Sequence, residues 1–378
     1  MIYFDNSATT KPYKEALSAF AKANEQFFGN PSSLHHLGMQ ADRLLQEARK
    51  QIASLIGAEV EEIIFTSGGT EANNLALKGA ALANRHRGNH IITQQTEHPS
   101  VLHACHQLEE LGFQVTYLPV DASGRISIQE LEAALTEETI AVSIMHVNNE
   151  TGTIQPMKEI SELLKKYPKV LFHADDVQGR GKVVLDLKEI DLCSLSAHKF
   201  HGLKGSGVLY KKKGVKLSPL LSGGNQESGW RSGTENTAGI IAMAKALRLT
   251  EEKRSEGVAE MEEIQQFLRS ELEKINGVRI HTPKTEAAPH ILNFSITGVK
   301  GEVLIHALEE RGCYLSTTSA CSSRQKKTST VLIAMGLPAA AADSSVRLSL
   351  SYENTMEEAQ AFLRVLNETL PKLTKVQR

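Results

Sequence analysis

A glycine pair, a histidine, an aspartate and a lysine each stand where a short apolar run stops. Gly68 and Gly69 in TSGGTEAN, residues 66–73, close the run EIIFTS and lead into a helical pattern at Thr70. Such a junction turns backbone N–H groups toward an anion, or is no more than a tight turn. It is not a Walker loop, since no GxxxxGK[ST] occurs, and the later GLKGSG is not a dinucleotide fingerprint. His98 in TEHPS has a side chain that stacks on a flat ring and moves protons near neutral pH, or caps a helix. Asp175 in HADDVQ ends a run at the sheet edge where open α/β folds bind ligands, or caps a turn. Lys199 in SAHKFHG, with Ser196, His198 and His201 around it, forms a Schiff base if its amine is desolvated and is otherwise a surface charge. Cys321 lies in LSTTSACSSRQKK, among small hydroxyl residues and before a basic cluster, with no apolar run to bury it.

The first four segments fall at the same end of successive predicted strands. An anion cup, an acid for a ring nitrogen, an imine-forming lysine and a stacking imidazole together describe a site for pyridoxal 5'-phosphate. Cys105, Cys193, Cys313 and Cys321 lack CxxC or Cys/His spacing, so reduced thiols are expected, with neither a metal site nor a disulfide framework.

The elements that must position these groups are legible in the hydrophobic pattern. From about residue 61 to 210, runs such as HIITQQ, QVTYLPV, IAVSIMHV, VLFHADD and DLCSLS alternate with helical segments. This predicts an α/β fold whose large domain is built on a mostly parallel sheet of seven strands, the last, GVLYKKK, reversed. Upstream, Leu44, Leu45, Ala48, Ile52 and Leu55 show helical spacing that stops at Gly57. A long helical stretch from about 236 to 275 turns from apolar to charged, which places a domain boundary near 254–258. Residues 15–256 are the expected large domain. Residues 1–14 and 257–378 are the expected smaller α+β domain, with a capping box at Thr355 and Glu358 opening its last helix.

The chain has 378 residues, 41% apolar and 23% charged, with a formal net charge of −2, which supplies no reason to expect nucleic acid or an anionic membrane as partner. The start, MIYFDNSATTKPY, lacks a secretory signal pattern and no apolar run spans a bilayer, so a cytoplasmic protein is expected.

YFDNSATT, GNPSSLHHLG, TSGGTEANN, TEHPSV, HVNNETG, HADDVQ, SAHKFHGLKGSG, RSGTEN, SACSS and VRLSLS follow one another along nearly the whole chain. In this order the sequence closely resembles the NifS/IscS-like cysteine desulfurases of the class V aminotransferase group. The resemblance implies the type I fold of pyridoxal-phosphate-dependent transferases, with the cofactor on Lys199, Asp175 on its pyridine nitrogen, Gln178 near the ring hydroxyl and His98 stacked on the ring. Gly69, Thr70, Ser196 and His198 would bind the phosphate, and Thr234 would reach a phosphate across a homodimer interface. Asn149 and Arg347 would hold the substrate L-cysteine, Arg347 by a bidentate grip on its carboxylate. Cys321 would take the sulfur as a persulfide, leaving L-alanine, and pass it to an acceptor protein: an iron-sulfur scaffold, a tRNA-thiolating sulfurtransferase or a thiamine-pathway protein. Where the family usually has a small residue after the ring-binding acid, this chain has Asp176, which strand alternation turns to the opposite face. A selenocysteine lyase or an aminotransferase on the same fold, and a docking protein for sulfur acceptors with Arg324 to Lys327 as its basic contact, are the competing readings.

Overall fold

Runs rich in Ile, Val and Leu become strands whose two faces are both covered. A computed structural model describes residues 1–317 and 328–376. In chain order the strands are β1 (Ile2–Tyr3), β2 (Ile63–Thr66), β3 (His90–Gln94), β4 (Gln114–Leu118), β5 (Thr139–Met145), β6 (Leu171–Asp175), β7 (Leu192–Ser196), β8 (Gly207–Lys211), β9 (Val278–Ile280), β10 (Ile291–Ile296), β11 (Cys313–Tyr314), β12 (Ser316–Thr317) and β13 (Ser345–Ser349). The helices that matter most for the site are α1 (Lys14–Gln26), α2 (His36–Ile56), α3 (Gly69–Asn84), α4 (Pro99–Glu110), α5 (Ile128–Ala134), α6 (Met157–Leu164) and α7 (Thr237–Leu272).

Seven strands form one sheet in the order β2-β8-β7-β6-β5-β3-β4. The pairs from β7 to β4 are parallel, and β8 runs antiparallel to both β7 and β2. The reversed strand was expected; its consequence is that β2 points the same way as the parallel set. The C-terminal ends of β2, β3, β6 and β7 therefore share one edge, which brings the segments after them together.

One face of the sheet is covered by α1, α2 and α7, with Ala16, Leu45, Ile52, Met243 and Leu247 packed on Ile92, Val142 and Phe172. The other is covered by α3 and α4, where Leu77, Val101 and Leu108 meet Ile91 and Ala141. Helix α2 stops at Gly57, whose φ of 75° is left-handed. A second apolar core gathers Leu268 and Leu272 of α7 with Leu292, Phe294, Val346, Leu348 and Phe362, on a four-stranded sheet ordered β12-β13-β10-β9. Phe4 joins this core, β1 pairs with β11, and Asp5 bridges to Ser349. The boundary expected at 254–258 falls inside α7, which is continuous and contributes to both cores. Thr355 and Glu358 form the expected reciprocal cap at 3.3 Å each way. No helix among the described residues is long and apolar enough to cross a membrane.

The loop before α7, which carries Thr234, is anchored by Glu227. Its carboxylate accepts two bonds from Arg49, at 2.6 and 2.8 Å, and one from the Phe65 N–H at 2.9 Å, while its own φ is a left-handed 48°. A buried carboxylate so held compensates a strained backbone. Replacing it, Glu227→Ala, leaves Arg49 without its partner. A loss of about 3 kcal/mol is expected, read from urea denaturation; an unchanged midpoint and slope contradict the assignment.

Candidate active site

The edge defined by these strand ends is built from the N-terminal segment upward. Lys199 closes a short 3-10 turn, Ala197–Lys199, directly after β7. Its Nζ donates to the carbonyls of Ser7 at 2.5 Å and Ala8 at 2.8 Å. Gln178 Nε2 donates to the same Ser7 carbonyl at 3.0 Å, which puts that amide beside the lysine. The Gln178 Oε1 atom is buried and without a hydrogen-bond partner among the described residues.

Gly68 enters α3 with φ 152° and ψ −176°, a conformation that requires glycine. A Cβ on Gly69 would lie 2.7 Å from Val177 Cγ2 and 3.5 Å from Ser196 Cβ, so the cup, the β6 end and the β7 end converge. The first N–H groups of α3, from Gly69 and Thr70, lack intrahelical acceptors by construction and face this junction. His198 reaches the N-terminal segment through Thr9 Oγ1 at 3.2 Å, and burial with the nearby Lys199 charge pushes its imidazole down to about 4.

A hydrogen-bonded relay crosses the floor. Asn73 Nδ2 donates to Asp175 Oδ2 at 2.7 Å and to Ser100 Oγ at 2.9 Å. The Ser100 N–H donates to His98 Nδ1 at 3.1 Å, which makes that nitrogen an acceptor, so the Ser100 hydroxyl 2.8 Å from it is also a donor. Two donors on Nδ1 assign the His98 proton to Nε2. Burial, then the Lys199 charge, pushes His98 down to about 4, so its ring is neutral at pH 7. Asp175 accepts a second bond from the Val177 N–H at 3.0 Å. Burial raises its carboxyl, Asp176 adds to this, and the bonds from Val177 and Asn73 and the Lys199 charge oppose it.

Asp176, one residue past the end of β6, takes partners distinct from those of Asp175. It is fully enclosed, with Oδ1 2.7 Å from His146 Nδ1 and Oδ2 3.1 Å from Arg180 Nη2.

At the other wall Arg347, on β13, is 4% exposed. Nη1 donates to the Asn149 carbonyl at 2.8 Å, and Nη2 pairs with Asp5 at 3.0 Å. Nε is buried with no hydrogen-bond partner among the described residues. Asn149 thus meets Arg347 through its main chain. Ser316 Oγ donates to Asp5 and Ser329 Oγ to Glu150, at 2.5 Å each. Burial pushes Glu150 up to about 7 against the Ser329 bond and the Arg347 charge. Cys321 and the basic residues 324–327 lie outside the described residues; Cys105, Cys193 and Cys313 are buried free thiols. Thr234 is exposed on its loop, which Arg231 ties to Glu71 at 2.9 Å.

The structure thus brings Gly69, Thr70, His98, Asp175, Gln178, Ser196, His198 and Lys199 to one edge. Asn73, Ser100, Asp5 and the Ser7 and Ala8 carbonyls are further parts of it that sequence reasoning passed over. Asn73 and Asp5 stand inside TSGGTEANN and YFDNSATT, so their signal was present, but a polar side chain that acts on another side chain leaves no periodicity.

A lysine, a buried acid and a glycine-led helix start gathered at one edge of an α/β sheet suit a pyridoxal-phosphate enzyme, and the family comparison agrees. The family model for aminotransferase class-V matches residues 2–362, and the chain belongs to that family, whose cofactor is pyridoxal 5'-phosphate. The chain is 50% identical to the NifS/IcsS protein homolog of Lactobacillus delbrueckii subsp. bulgaricus, with 100% of this chain and 99% of the relative covered. It is 44% identical to cysteine desulfurase IscS of Dictyoglomus turgidum, covering 99% and 96%. A solved NifS-like protein superposes with a TM-score of 0.93 at 39% identity over 98% of this chain and 100% of that one. SspA in complex with cysteine does so at 0.82 and 35%, over 93% and 99%.

The residues present fit the cofactor: Gln178 has an orphaned oxygen, Gly69 leaves a cradle that a Cβ would fill, and Asp175 is a buried carboxylate already oriented by two donors.

Removing the relay's shared donor, Asn73→Ala, leaves Asp175 and Ser100 each one bond short. A weakening of cofactor binding by about tenfold or more, from 1.5–3 kcal/mol for a bond to a charged group, is expected in absorbance titrations; unchanged affinity contradicts the relay.

Stability should also follow the buried imidazoles. Burial holds His98, His198, His201 and His281 at about 4, His173 at about 3, and His290 well below its ordinary 6.5. Between pH 6.5 and about 4.5 the unfolded chain takes up protons on these groups that the folded chain refuses. Glu97 and Glu150, pushed up to about 8 and 7, act the other way by keeping protons only when folded. Six histidines exceed two glutamates, so stability falls as pH drops through that window. Urea midpoints at about pH 7 and about pH 5 test this; a higher midpoint in acid contradicts it.

Proposed function

We propose that the protein is a cysteine desulfurase, which converts L-cysteine to L-alanine and holds the released sulfur as a persulfide on Cys321. The observation that carries this reading is the single edge joining Lys199, Asp175 and His98 to a buried arginine, Arg347, whose Nε has no hydrogen-bond partner among the described residues. Bound there, pyridoxal 5'-phosphate supplies an electron sink for the pair left behind when an amino acid loses its α-proton.

The chain's own residues set the rest. Lys199 Nζ, held by the Ser7 and Ala8 carbonyls, is the attachment point. Asp175, oriented by donors from Asn73 and the Val177 N–H, holds the ring nitrogen. His98, neutral and carrying its proton on Nε2, stacks on the ring and moves protons with the freed Lys199 amine. Gly69, Thr70, Ser196 and His198 bind the phosphate. Arg347 grips the substrate carboxylate through Nε, oriented by Asp5 and the Asn149 carbonyl. The Cys321 thiolate attacks the substrate sulfur: an S–S bond forms, the substrate C–S bond breaks with its electron pair left on the carbon side, the β-carbon takes a proton and the α-carbon regains the one it lost, giving alanine.

A second copy of the chain completes the site in this reading. Phe28, Leu34, Leu37 and Met39, between 40 and 94% exposed in and just before α2, supply an apolar face for it, and Thr234 is presented outward. The sulfur goes on to an acceptor protein, a dedicated sulfurtransferase or an iron-sulfur scaffold. Three unpaired thiols suit a reducing, cytoplasmic setting.

Purified protein given L-cysteine should release alanine and sulfur in equal amounts. Cys321→Ala should lose the enzyme-bound persulfide seen by mass spectrometry, and a variant that turns over as fast as the parent removes Cys321 from the scheme. Arg347→Ala should raise KM for L-cysteine by about thirtyfold, for a lost charged bond near 2 kcal/mol, with the cofactor still bound; an unaltered KM contradicts the carboxylate grip.

A further inference from the structure

Three consecutive carbonyls carry the chain through the Lys199 turn, and each is taken by a donor from a different element. The His198 carbonyl accepts from Thr10 N at 2.9 Å and Thr10 Oγ1 at 3.0 Å, and the Phe200 carbonyl accepts from Thr250 Oγ1 at 3.1 Å. Between them the Lys199 carbonyl accepts from Lys182 Nζ at 2.9 Å. Neighbouring carbonyls are satisfied by threonines and a main-chain amide, so a neutral donor would serve. A half-buried ammonium here carries a desolvation cost that a threonine or glutamine would avoid, which points to its charge.

The acid that favours this charge most, Asp176, is paired instead with His146 and Arg180. The groups that Lys182 faces from the packed elements are cationic or neutral: Lys199, His198 and His201 on the turn, and His290 ahead of β10. Both ring nitrogens of His290 are buried without a hydrogen-bond partner among the described residues. Burial and the Lys199 charge push Lys182 down to about 8, so it is charged at neutral pH and repels a second positive charge at residue 199.

We propose that Lys182 is a positioning residue for Lys199, clamping the Lys199 carbonyl and placing a positive charge, present at neutral pH, in the surroundings of the nitrogen that Lys199 joins to the cofactor. This rests on the reading of Lys199 as the attachment point. The charge disfavours protonation of that nitrogen, so removing it raises the pH at which the proton leaves.

The test is a pH titration of the visible absorption band of the loaded enzyme, with the parent, Lys182→Met, Lys182→Gln and Lys182→Arg. The midpoint should rise by about one pH unit or more in the Met and Gln variants, the direction that loss of a neighbouring positive charge dictates, and return to the parental value in the Arg variant. Gln keeps a donor for the carbonyl, so it reports on charge even if the Met variant fails to fold. Parental midpoints in both neutral variants overturn the proposal. A parent that shows no visible band, and in which borohydride fixes no cofactor to Lys199, overturns the reading of Lys199 instead.

Discussion

One buried carboxylate organises this molecule. Asp175 lies at the end of β6, 5% exposed, and a charge there is sustained only by groups that reach it from other elements. Asn73 comes from α3, the Val177 N–H from the turn beyond β6, and Asn73 also holds Ser100 on α4 and through it His98, the cap before that helix. The bonds on Asp175 and Ser100 therefore tie three strand ends together. In the proposed site, a carboxyl group held in this way needs no rearrangement when a ring nitrogen arrives.

Around that floor the two apolar cores have separate duties. The seven-stranded sheet with α2, α3 and α7 makes the floor rigid, whereas the four-stranded sheet delivers Arg347 and, through β1 and Asp5, the N-terminal segment whose Ser7 and Ala8 carbonyls receive Lys199. The chain start thus lies between the two cores, in contact with Lys199 on one side and Arg347 on the other. Ser316 and Ser329, on either side of the segment that holds Cys321, are tied to Asp5 and Glu150, and both acids lie within the field of Arg347.

Much of this was legible in the sequence, for physical reasons that differ by element. β3, β5 and β7 are buried along their whole length, so their apolar runs marked both strand and sheet type, and the functional segments followed from where those runs stop. Helix α2 carried its own start-to-stop pattern through Gly57. Helix α1 went unread because only Ala16 and Ala23 of its 13 residues are buried, too few for a stripe. The strand order was equally hidden, since hydrogen bonding between β8 and β2 depends on partners far apart in the chain. Asn73, Asp5 and Lys182 escaped for a third reason: each acts on one atom of another residue, and such a pairing has no period. Asp176 stands one residue past the end of β6, where strand alternation no longer applies by itself, and its partners His146 and Arg180 were not legible from spacing.

The most direct test of the account is the protonation of the cofactor's ring nitrogen, read by 15N NMR of enzyme reconstituted with ring-labelled pyridoxal 5'-phosphate at neutral pH. An ionised Asp175 against that nitrogen predicts a pyridinium resonance that moves toward the neutral-pyridine position in Asp175→Asn. A neutral-pyridine resonance in the parent enzyme would contradict it.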